Sequence, residues 1–179
     1  MNIRKGLAAV TQIIHECITI ETNTGGVLED VKSVIIVANN ENGVDEPAIW
    51  IRQHPTIPAN NAKTKLSQTI ELATTFEFVC IEYDPDPEIA ELKCQDLASR
   101  AVLAILINFQ QLQKEHDERV IKNIYFNMFY PVGEVQIQGK REKVPATSVV
   151  LDVIHRIEWL NCCKTRIEQE ENNNDNGDW

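Results

Sequence analysis

The sequence predicts an α+β domain in which a mixed, mainly antiparallel sheet is packed by two helices. Residues 3–18 and 87–109 carry apolar side chains at helical spacing, and the capping pair Asp86-Pro87 precedes the second segment. Other segments alternate apolar and polar side chains or form β-branched runs, as strands do. The predicted order is helix, three strands, helix, strand, arm and last strand. Long strands that flank one well-capped helix favour this architecture.

The N-terminal part of the chain predicts one helix and two strands. Residues 3–18 form the helix, with Asn2 as its candidate N-cap. Residues 31–38 contain a β-branched run and predict the first strand, and residues 48–52 predict a short second strand. Residues 39–46 are polar and contain glycine, so we expect a connection of hairpin length.

Residues 53–65 interrupt the strand pattern. Pro55 and Pro58 favour extended backbone before them and remove two amide donors, so we expect a surface loop. A loop of this length is unusual inside a compact domain and favours a binding or packing role. His54, which precedes the first proline, is therefore a candidate contact residue.

The longest strand prediction covers residues 66–83. Phe76 and Phe78 share its apolar face, while Val79 and Ile81 make the opposite face apolar near the strand end. We therefore expect that end to be covered on both sides. The helix that follows should run to about residue 109. Its predicted buried stripe consists of apolar and small side chains: Ala90, Cys94, Leu97, Ala101, Ala104 and Ile105.

The last third of the sequence predicts two strands joined by an arm. Residues 121–130 alternate, with Ile124, Phe126, Met128 and Tyr130 expected on one face. Residues 131–147 hold two glycines and two prolines, and their centre could form a projecting β-arm. Residues 148–159 predict the last strand. The resulting organisation is one domain over residues 1–160, with its arm at about 131–147, and an acidic tail over residues 161–179.

Composition and charge restrict the kinds of partner. The 179 residues carry a formal net charge of −10. This excess of acid argues against nucleic-acid binding, which needs clustered Lys and Arg, and against binding to an anionic membrane. The longest apolar run, residues 101–107, is far shorter than a membrane span, and residues 1–10 lack the apolar core of a secretory signal. We expect no membrane partner.

The five cysteines predict reduced thiols. They are odd in number, form no C-x-x-C, and include the adjacent pair Cys162 and Cys163, which has poor geometry for a shared zinc or an ordinary disulfide. Cys17, Cys80 and Cys94 lie on predicted apolar faces, where burial opposes thiolate formation. A Cys–His pair brought together by folding stays open, because such partners need not be adjacent in sequence.

The remaining ionisable residues predict no catalytic, cofactor-binding or metal-binding constellation. The four histidines are scattered, and His155 falls on the apolar face of its strand, which indicates a core or interface histidine. Asp84, Asp86, Glu88 and Glu91 form the densest acidic cluster, but helix capping and dipole compensation explain them, and the calcium-loop pattern is missing. The sequence has no phosphate-binding glycine motif.

A basic cluster stands out against the acidic chain. Lys140, Arg141 and Lys143 form either a solvated loop or an electrostatic contact with an acidic partner surface, such as residues 168–178 of a neighbouring copy. The candidate subunit or partner contacts are Lys140, Arg141, Lys143, His54, Glu170, Glu171 and Trp179.

The order of elements resembles that of the tail terminator, or tail-completion (head–tail joining), proteins of long-tailed bacteriophages. The matching features are the helix at 3–18, the strand Ala48-Ile49-Trp50-Ile51, the strand at 76–83 that passes through an acidic proline turn into the helix at 88–107, and the closing strand at 149–159. The match covers most of residues 1–159. It is a pattern of element order and hydrophobicity without a diagnostic motif.

The resemblance implies a virion structural protein assembled in the host cytoplasm, neither an enzyme nor a cofactor binder. Such proteins form a ring, typically a hexamer, that caps the head-proximal end of the tail tube and joins it to the neck. Tail tube and neck or connector proteins are the implied partners, and DNA passes through the acidic lumen without specific binding. Because residues 53–65, the arm and the tail extend beyond the family pattern, another neck component is an alternative. A cellular binding module and an enzyme subunit are further alternatives.

The basic cluster generates a first prediction. Replacing Lys140, Arg141 and Lys143 by Glu should weaken self-assembly, because the cluster would then repel an acidic partner surface. Light scattering measures the assembly, and circular dichroism checks that the fold is intact. Unchanged assembly would contradict the electrostatic contact.

Overall fold

The described residues form two helices and one six-stranded sheet, in the predicted order. The structure is a computed structural model that describes residues 7–37, 45–59, 69–115, 121–137 and 143–158. Its elements are α1 (Leu7–Ile20), β1 (Ser33–Ile36), β2 (Ala48–Pro58), β3 (Thr69–Ile81), α2 (Pro87–Glu115), β4 (Ile121–Phe129), β5 (Gly133–Gln136) and β6 (Lys143–Glu158). Helix α1 ends two residues beyond the predicted end, and residues 3–6 of that prediction lie outside the described residues.

The sheet is mixed and mainly antiparallel, as predicted. Its strand order is β1-β2-β3-β6-β4, and β5 pairs with β6 beyond the end of β4. Central strands β3 and β6 pair without interruption from Thr69 opposite Glu158 to Ile81 opposite Ala146. Strands β1 and β2 pair in parallel, so the expected hairpin between them is wrong, because a hairpin joins antiparallel strands. Residues 38–44 of that connection lie outside the described residues.

Both helices pack on one face of the sheet and form the main core with it. Helix α2 packs on β3 and β6, while α1 packs on α2 and β1. All six residues of the predicted α2 stripe are buried, and Leu97 is 0% exposed. Its small members Ala101 and Ala104, together with the buried Ala98, bring the helix close to the strands. Covering one large apolar side chain in this way stabilises the fold by about 1.5–3 kcal/mol.

Among the described residues, the opposite face is covered at one end. There Trp50, Val79 and Ile81 pack with Ile137 and Val144. The expected two-sided burial at the end of β3 is therefore confirmed. Strand β5 and the start of β6 form a hairpin whose apolar side chains are packed into this second cluster, so the described part of the arm lies against the sheet instead of projecting from it. Residues 138–142 lie outside the described residues.

Strand β2 extends through residues that were predicted to form a loop. It continues to Pro58, and residues 53–58 are therefore strand, whereas residues 60–65 lie outside the described residues. The pairing with β3 shifts between Gln53 and Thr56, where Pro55 lies. Among the described strands, β1 pairs with residues 48–51 of β2 and does not extend to the prolines. The edge of β2 that faces away from β3 is therefore unpaired at Pro55 and Pro58, where a residue without an amide donor breaks no hydrogen bond. The prolines mark an edge and a bulge rather than a loop.

Helix α2 begins as predicted but ends later. The Asp86 side chain accepts a hydrogen bond from the Glu88 amide at 3.0 Å, so the predicted N-cap is confirmed. The Asp84 side chain accepts from the Asp86 amide at 2.9 Å and from Lys93 Nζ at 2.9 Å, which holds the pKa of Asp84 below its usual value. The predicted end near residue 109 is wrong, since good helix formers continue to Glu115 and Leu112 stays buried.

The turn after α1 is fastened to α2 by polar contacts. Arg100 donates to Asp30 at 2.5 and 3.1 Å and to the Val27 carbonyl at 3.1 Å. Asn108 donates to the Glu21 side chain at 2.7 Å, and Glu21 also accepts from the Val27 amide at 3.0 Å. The Arg100 guanidinium lowers the pKa of Asp30. These bonds fix the distance between the two helices that cover the sheet.

The same turn gives a prediction about stability. A Cβ atom at Gly26 would overlap the carbonyl oxygen of Glu21, whereas a Cβ at Gly133 would meet nothing within 4 Å. We expect Gly26→Ala to lower the free energy of unfolding by roughly 1–3 kcal/mol, because the backbone must move. Gly133→Ala is the matched control and should change it by less than about 0.5 kcal/mol. Chemical denaturation measures both, and equal effects would contradict the close approach at Gly26.

Candidate functional site

Most exposed large apolar side chains fall into two groups. Of fourteen such side chains among the described residues, ten lie in two segments, so the exposure is concentrated. The first group, here named the β4 strip, consists of Tyr125, Phe126, Met128, Phe129 and Tyr130. The second group, named the α2 outer face, consists of Ile89, Leu92, Leu103, Leu106 and Ile107. Concentrated apolar exposure is typical of interaction sites.

Strand β4 forms an edge of the sheet, and its start is covered, since Ile121 is buried in the main core and Ile124 packs against it. The β4 strip follows this covered part, and its side chains are about half exposed. Phe126 lies opposite Leu151, but the pairing shifts before Met128, which lies opposite Val150. The shift places apolar side chains on both faces of the strand. The predicted strand is therefore confirmed, while the prediction that Phe126 and Met128 share one face is wrong, because a bulge breaks the alternation.

The β4 strip has the composition of a contact surface. Residues 123–130 contain no charged side chain. The rings of Phe126 and Phe129 contact each other, with centroids 5.0 Å apart and planes inclined by 49°. Edge strands are commonly protected by charges, bulges or prolines, and here two register shifts limit regular strand pairing. The strip therefore favours contact through its side chains over a simple extension of the sheet.

A groove lies beside the β4 strip on the face opposite the helices. It has a volume of about 420 Å³ and is lined by His54, Thr75, Glu77, Asn127, Met128, Tyr130 and Val150. His54, which was expected in a loop, is on β2 and half exposed; its Nε2 lies 3.3 Å from Glu77. Arg52 lies 3.4 Å from the same carboxylate oxygen. The candidate contact residue therefore belongs to the wall of an open groove.

The polar side chains that line the groove are held by hydrogen bonds and ion pairs to neighbouring strands. Asp152 accepts hydrogen bonds from Thr75 at 2.6 Å and from Asn127 at 3.0 Å. Asp152 and Glu77 are thus each held by side chains from neighbouring strands. Met128 and Tyr130 form the apolar wall and belong to the β4 strip as well. The groove and the strip are therefore parts of one continuous surface.

The three described cysteines are buried, as predicted. Burial raises the pKa of the Cys17 thiol to about 12 and that of Cys94 to about 11, and it raises the pKa of Cys80 as well. Cys94 donates weak hydrogen bonds to the carbonyls of Glu82 and Pro145. At neutral pH these thiols keep their protons and behave as small core side chains. Cys162 and Cys163 lie outside the described residues.

His155 ends a buried row of polar side chains. Its Nε2 lies 2.8 Å from the Thr74 hydroxyl, which lies 2.7 Å from the Thr56 hydroxyl. The predicted core position of His155 is therefore confirmed, since its side chain is 0% exposed. Its Nδ1 has no hydrogen-bond partner among the described residues. Burial lowers the pKa of His155 below its usual value, which keeps the ring neutral.

Of the other six predicted contact residues, the structure describes only Lys143. Lys143 is exposed and lies 3.6 Å from Glu134 across the β5–β6 hairpin. Such a solvent-exposed pair contributes little to stability. The five residues outside the described ranges are Lys140, Arg141, Glu170, Glu171 and Trp179.

Two general features complete the description. Within the described ranges, no group of three His, Cys, Asp or Glu side chains is placed to hold a metal ion. Neither described helix is long and apolar enough to span a membrane.

Sequence reasoning missed both exposed apolar groups. The signal for the α2 outer face was present, because residues 101–107 are apolar without interruption and a helix cannot bury such a run on one side. The signal for the β4 strip was weaker. Tyr125 and Phe129 fall between the residues of the expected apolar face, which indicates apolar side chains on both faces of the strand.

Comparison of the sequence with protein-family models and with curated proteins gives no match. The fold itself defines the class: an α+β domain with two helices on one face of a six-stranded mixed sheet.

Burial of His155 gives a pH prediction. The unfolded chain takes up a proton near pH 6.5, whereas the folded chain resists protonation until a lower pH. The contribution of this group to the free energy of unfolding is therefore fully present above pH 6.5. It is lost as the pH falls from 6.5 towards the lower pKa that His155 has in the folded protein. The slope is limited to about 1.4 kcal/mol per pH unit.

We expect His155→Gln to remove this part of the pH dependence, as measured by urea denaturation between neutral and mildly acidic pH. The matched control is His15→Gln, which changes an imidazole on α1 and leaves His155 in place. A His155→Gln protein with an unchanged slope would show that His155 is not the group responsible.

Proposed function

We propose that the chain is a virion structural protein of the tail-terminator type. In this proposal, copies of the chain close into a ring, and the hexamer implied by the resemblance is the expected size. The ring caps the head-proximal end of the tail tube. The observation that carries the proposal is the β4 strip, an uncharged and half-exposed apolar edge on an otherwise acidic chain.

Magnitudes favour an assembly in which each copy makes more than one contact. Five large side chains that are about half exposed offer roughly 500 Å² in total, divided between the two faces of the strand, since an aromatic side chain buries about 150–250 Å² in full. At about 25 cal/mol per Å², covering this area contributes roughly 12 kcal/mol. Association costs about 4–15 kcal/mol, so one such contact is close to balance. A closed ring gives every copy two contacts, so the free energy of burial then exceeds the cost of association.

The charge of the chain supports the same proposal. A ring whose copies each carry a net charge of −10 presents an acidic lumen, which repels DNA phosphates instead of binding them. DNA can then pass without being retained. Tail tube and neck proteins would contact the two flat faces of the ring, and shape complementarity on one face only would stop further growth of the tube.

The proposal is tested by removing the β4 strip. We expect the double substitution Phe126→Lys and Phe129→Lys to convert a ring into monomers, because two charges would have to be buried in each contact. Native mass spectrometry and negative-stain electron microscopy measure the assembly. The matched control is Ile57→Lys, which places a lysine at another exposed apolar position of an edge strand and should leave the ring intact.

A wild-type chain that stays monomeric, even when tail tube protein is added, would overturn the proposal. Circular dichroism of each variant separates loss of assembly from loss of the fold.

A further inference from the structure

The groove beside the β4 strip contains two carboxylates that are held in different ways. Glu77 lines the groove, and a guanidinium nitrogen of Arg52 lies 3.4 Å from its carboxylate, so a positive charge balances it. Asp152 instead accepts hydrogen bonds from two neutral side chains of the groove, Thr75 and Asn127, and it forms no ion pair with the described residues. Buried charges in proteins are usually paired, so this partly buried carboxylate favours a cationic ligand.

One cation can contact both carboxylates. Asp152 lies opposite Thr75, two residues before Glu77, so the two carboxylates are diagonal neighbours on one face of the sheet. Diagonal neighbours lie roughly 7–8 Å apart, which is within the reach of long side chains. Arg52 and His54 both contact Oε2 of Glu77, whereas its Oε1 forms no hydrogen bond with the described residues and can accept one from a ligand. A guanidinium group suits two such acceptors, because its N–H donors form a planar fork.

The groove also has an apolar part, formed by Met128, Tyr130 and Val150. The side chain of Tyr130 is about half exposed, so a flat cation can stack on its ring. The volume of about 420 Å³ accommodates a long side chain and lies within the range of ligand sites. An arginine side chain combines a flat cation with an apolar stem, whereas a lysine ammonium is a strongly hydrated point charge. The groove therefore favours arginine over lysine.

We propose that the groove binds an arginine side chain that a partner protein presents. The guanidinium then lies between Asp152 and Glu77, and its stem lies against Met128 and Tyr130. The formal net charge of −10 attracts such a basic ligand to the chain. This site goes beyond the proposed function, because it specifies the chemistry of a partner and does not require that the chain form a ring.

The proposal is tested on the full chain with N-acetylarginine methylamide, which presents the side chain as a polypeptide does. The sequence contains two methionines, Met1 and Met128, so protein labelled with ¹³C at the methionine methyl groups gives one NMR signal from the groove. Met128→Leu identifies that signal by its loss. Titration should shift the Met128 signal until the site is saturated, with a Kd on the order of 1 mM for so small a ligand.

Two further ligands separate recognition of a guanidinium from other binding. The citrulline analogue has the same shape without the charge, and it should bind roughly tenfold more weakly, because hydrogen bonds between charged groups are stronger than neutral ones. The lysine analogue carries the same charge and should also bind more weakly than the arginine derivative, because an ammonium neither stacks on the Tyr130 ring nor presents a planar fork.

Two variants locate the site. Asp152→Asn keeps the shape of the side chain and removes its charge, so it should weaken binding of the arginine derivative roughly tenfold. The matched control is Glu71→Gln, which removes a carboxylate from the same face of β3 but outside the groove, where Glu71 contacts Lys122 and Arg156. It should leave the affinity unchanged. Where Asp152→Asn disturbs folding, as judged by circular dichroism, Glu77→Gln removes the second carboxylate and should weaken binding as well.

Saturable binding that the loss of a groove carboxylate weakens and Glu71→Gln does not would support the site. A Met128 signal that does not move, equal binding of the citrulline analogue, or equal effects of Asp152→Asn and Glu71→Gln would overturn it. Each of these results is read from ligand binding, so it leaves the proposed function to the measurements of assembly. A chain that forms no ring but binds the arginine derivative would overturn the proposed function and keep this site.

Discussion

The uninterrupted pairing of β3 with β6 is the interaction on which the rest of the structure depends. It joins thirteen residue pairs in one register, and a shift by one residue would turn every side chain of β3 to the opposite face. In the observed register, Phe76 and Phe78 face the helices, while Val79 and Ile81 face the β5–β6 hairpin. Both cores are therefore built on the same two strands. The outer strands pair directly or indirectly with these two strands, so the same two faces continue across the sheet.

The width of the sheet explains why β4 is left partly uncovered. Neighbouring strands lie about 4.8 Å apart, and a packed helix occupies about 10 Å, so two helices cover roughly four strands. The helices here cover the side from β1 to β6, and five strands lie across the sheet. One edge then remains partly open. The main core reaches the start of β4, where Ile121 is buried and Ile124 packs against it, and the apolar side chains from Tyr125 onward are left about half exposed.

The sequence was sufficient to predict the elements that are determined by local patterns. The buried stripe of α2, its Asp86 cap and the two-sided burial at the end of β3 follow from periodicity and capping, which act within a few residues. The errors arose where the structure depends on pairing between strands that are distant in sequence. Pro55 and Pro58 are compatible with a strand only at an unpaired edge, and the parallel pairing of β1 with β2 depends on a strand neighbour that the sequence of β1 does not specify. The register shift between Phe126 and Met128 likewise depends on the pairing with β6.

The candidate surface was hidden from the sequence for a related reason. Apolar residues in a strand or a helix indicate burial, but they do not say whether the covering group belongs to the same chain or to another. A net charge of −10 on each copy opposes the approach of a second copy, so an apolar segment without charge is favoured for a contact between copies. Residues 123–130 are such a segment, and their apolar side chains from Tyr125 onward are about half exposed. Charge and fold geometry thus favour the same surface.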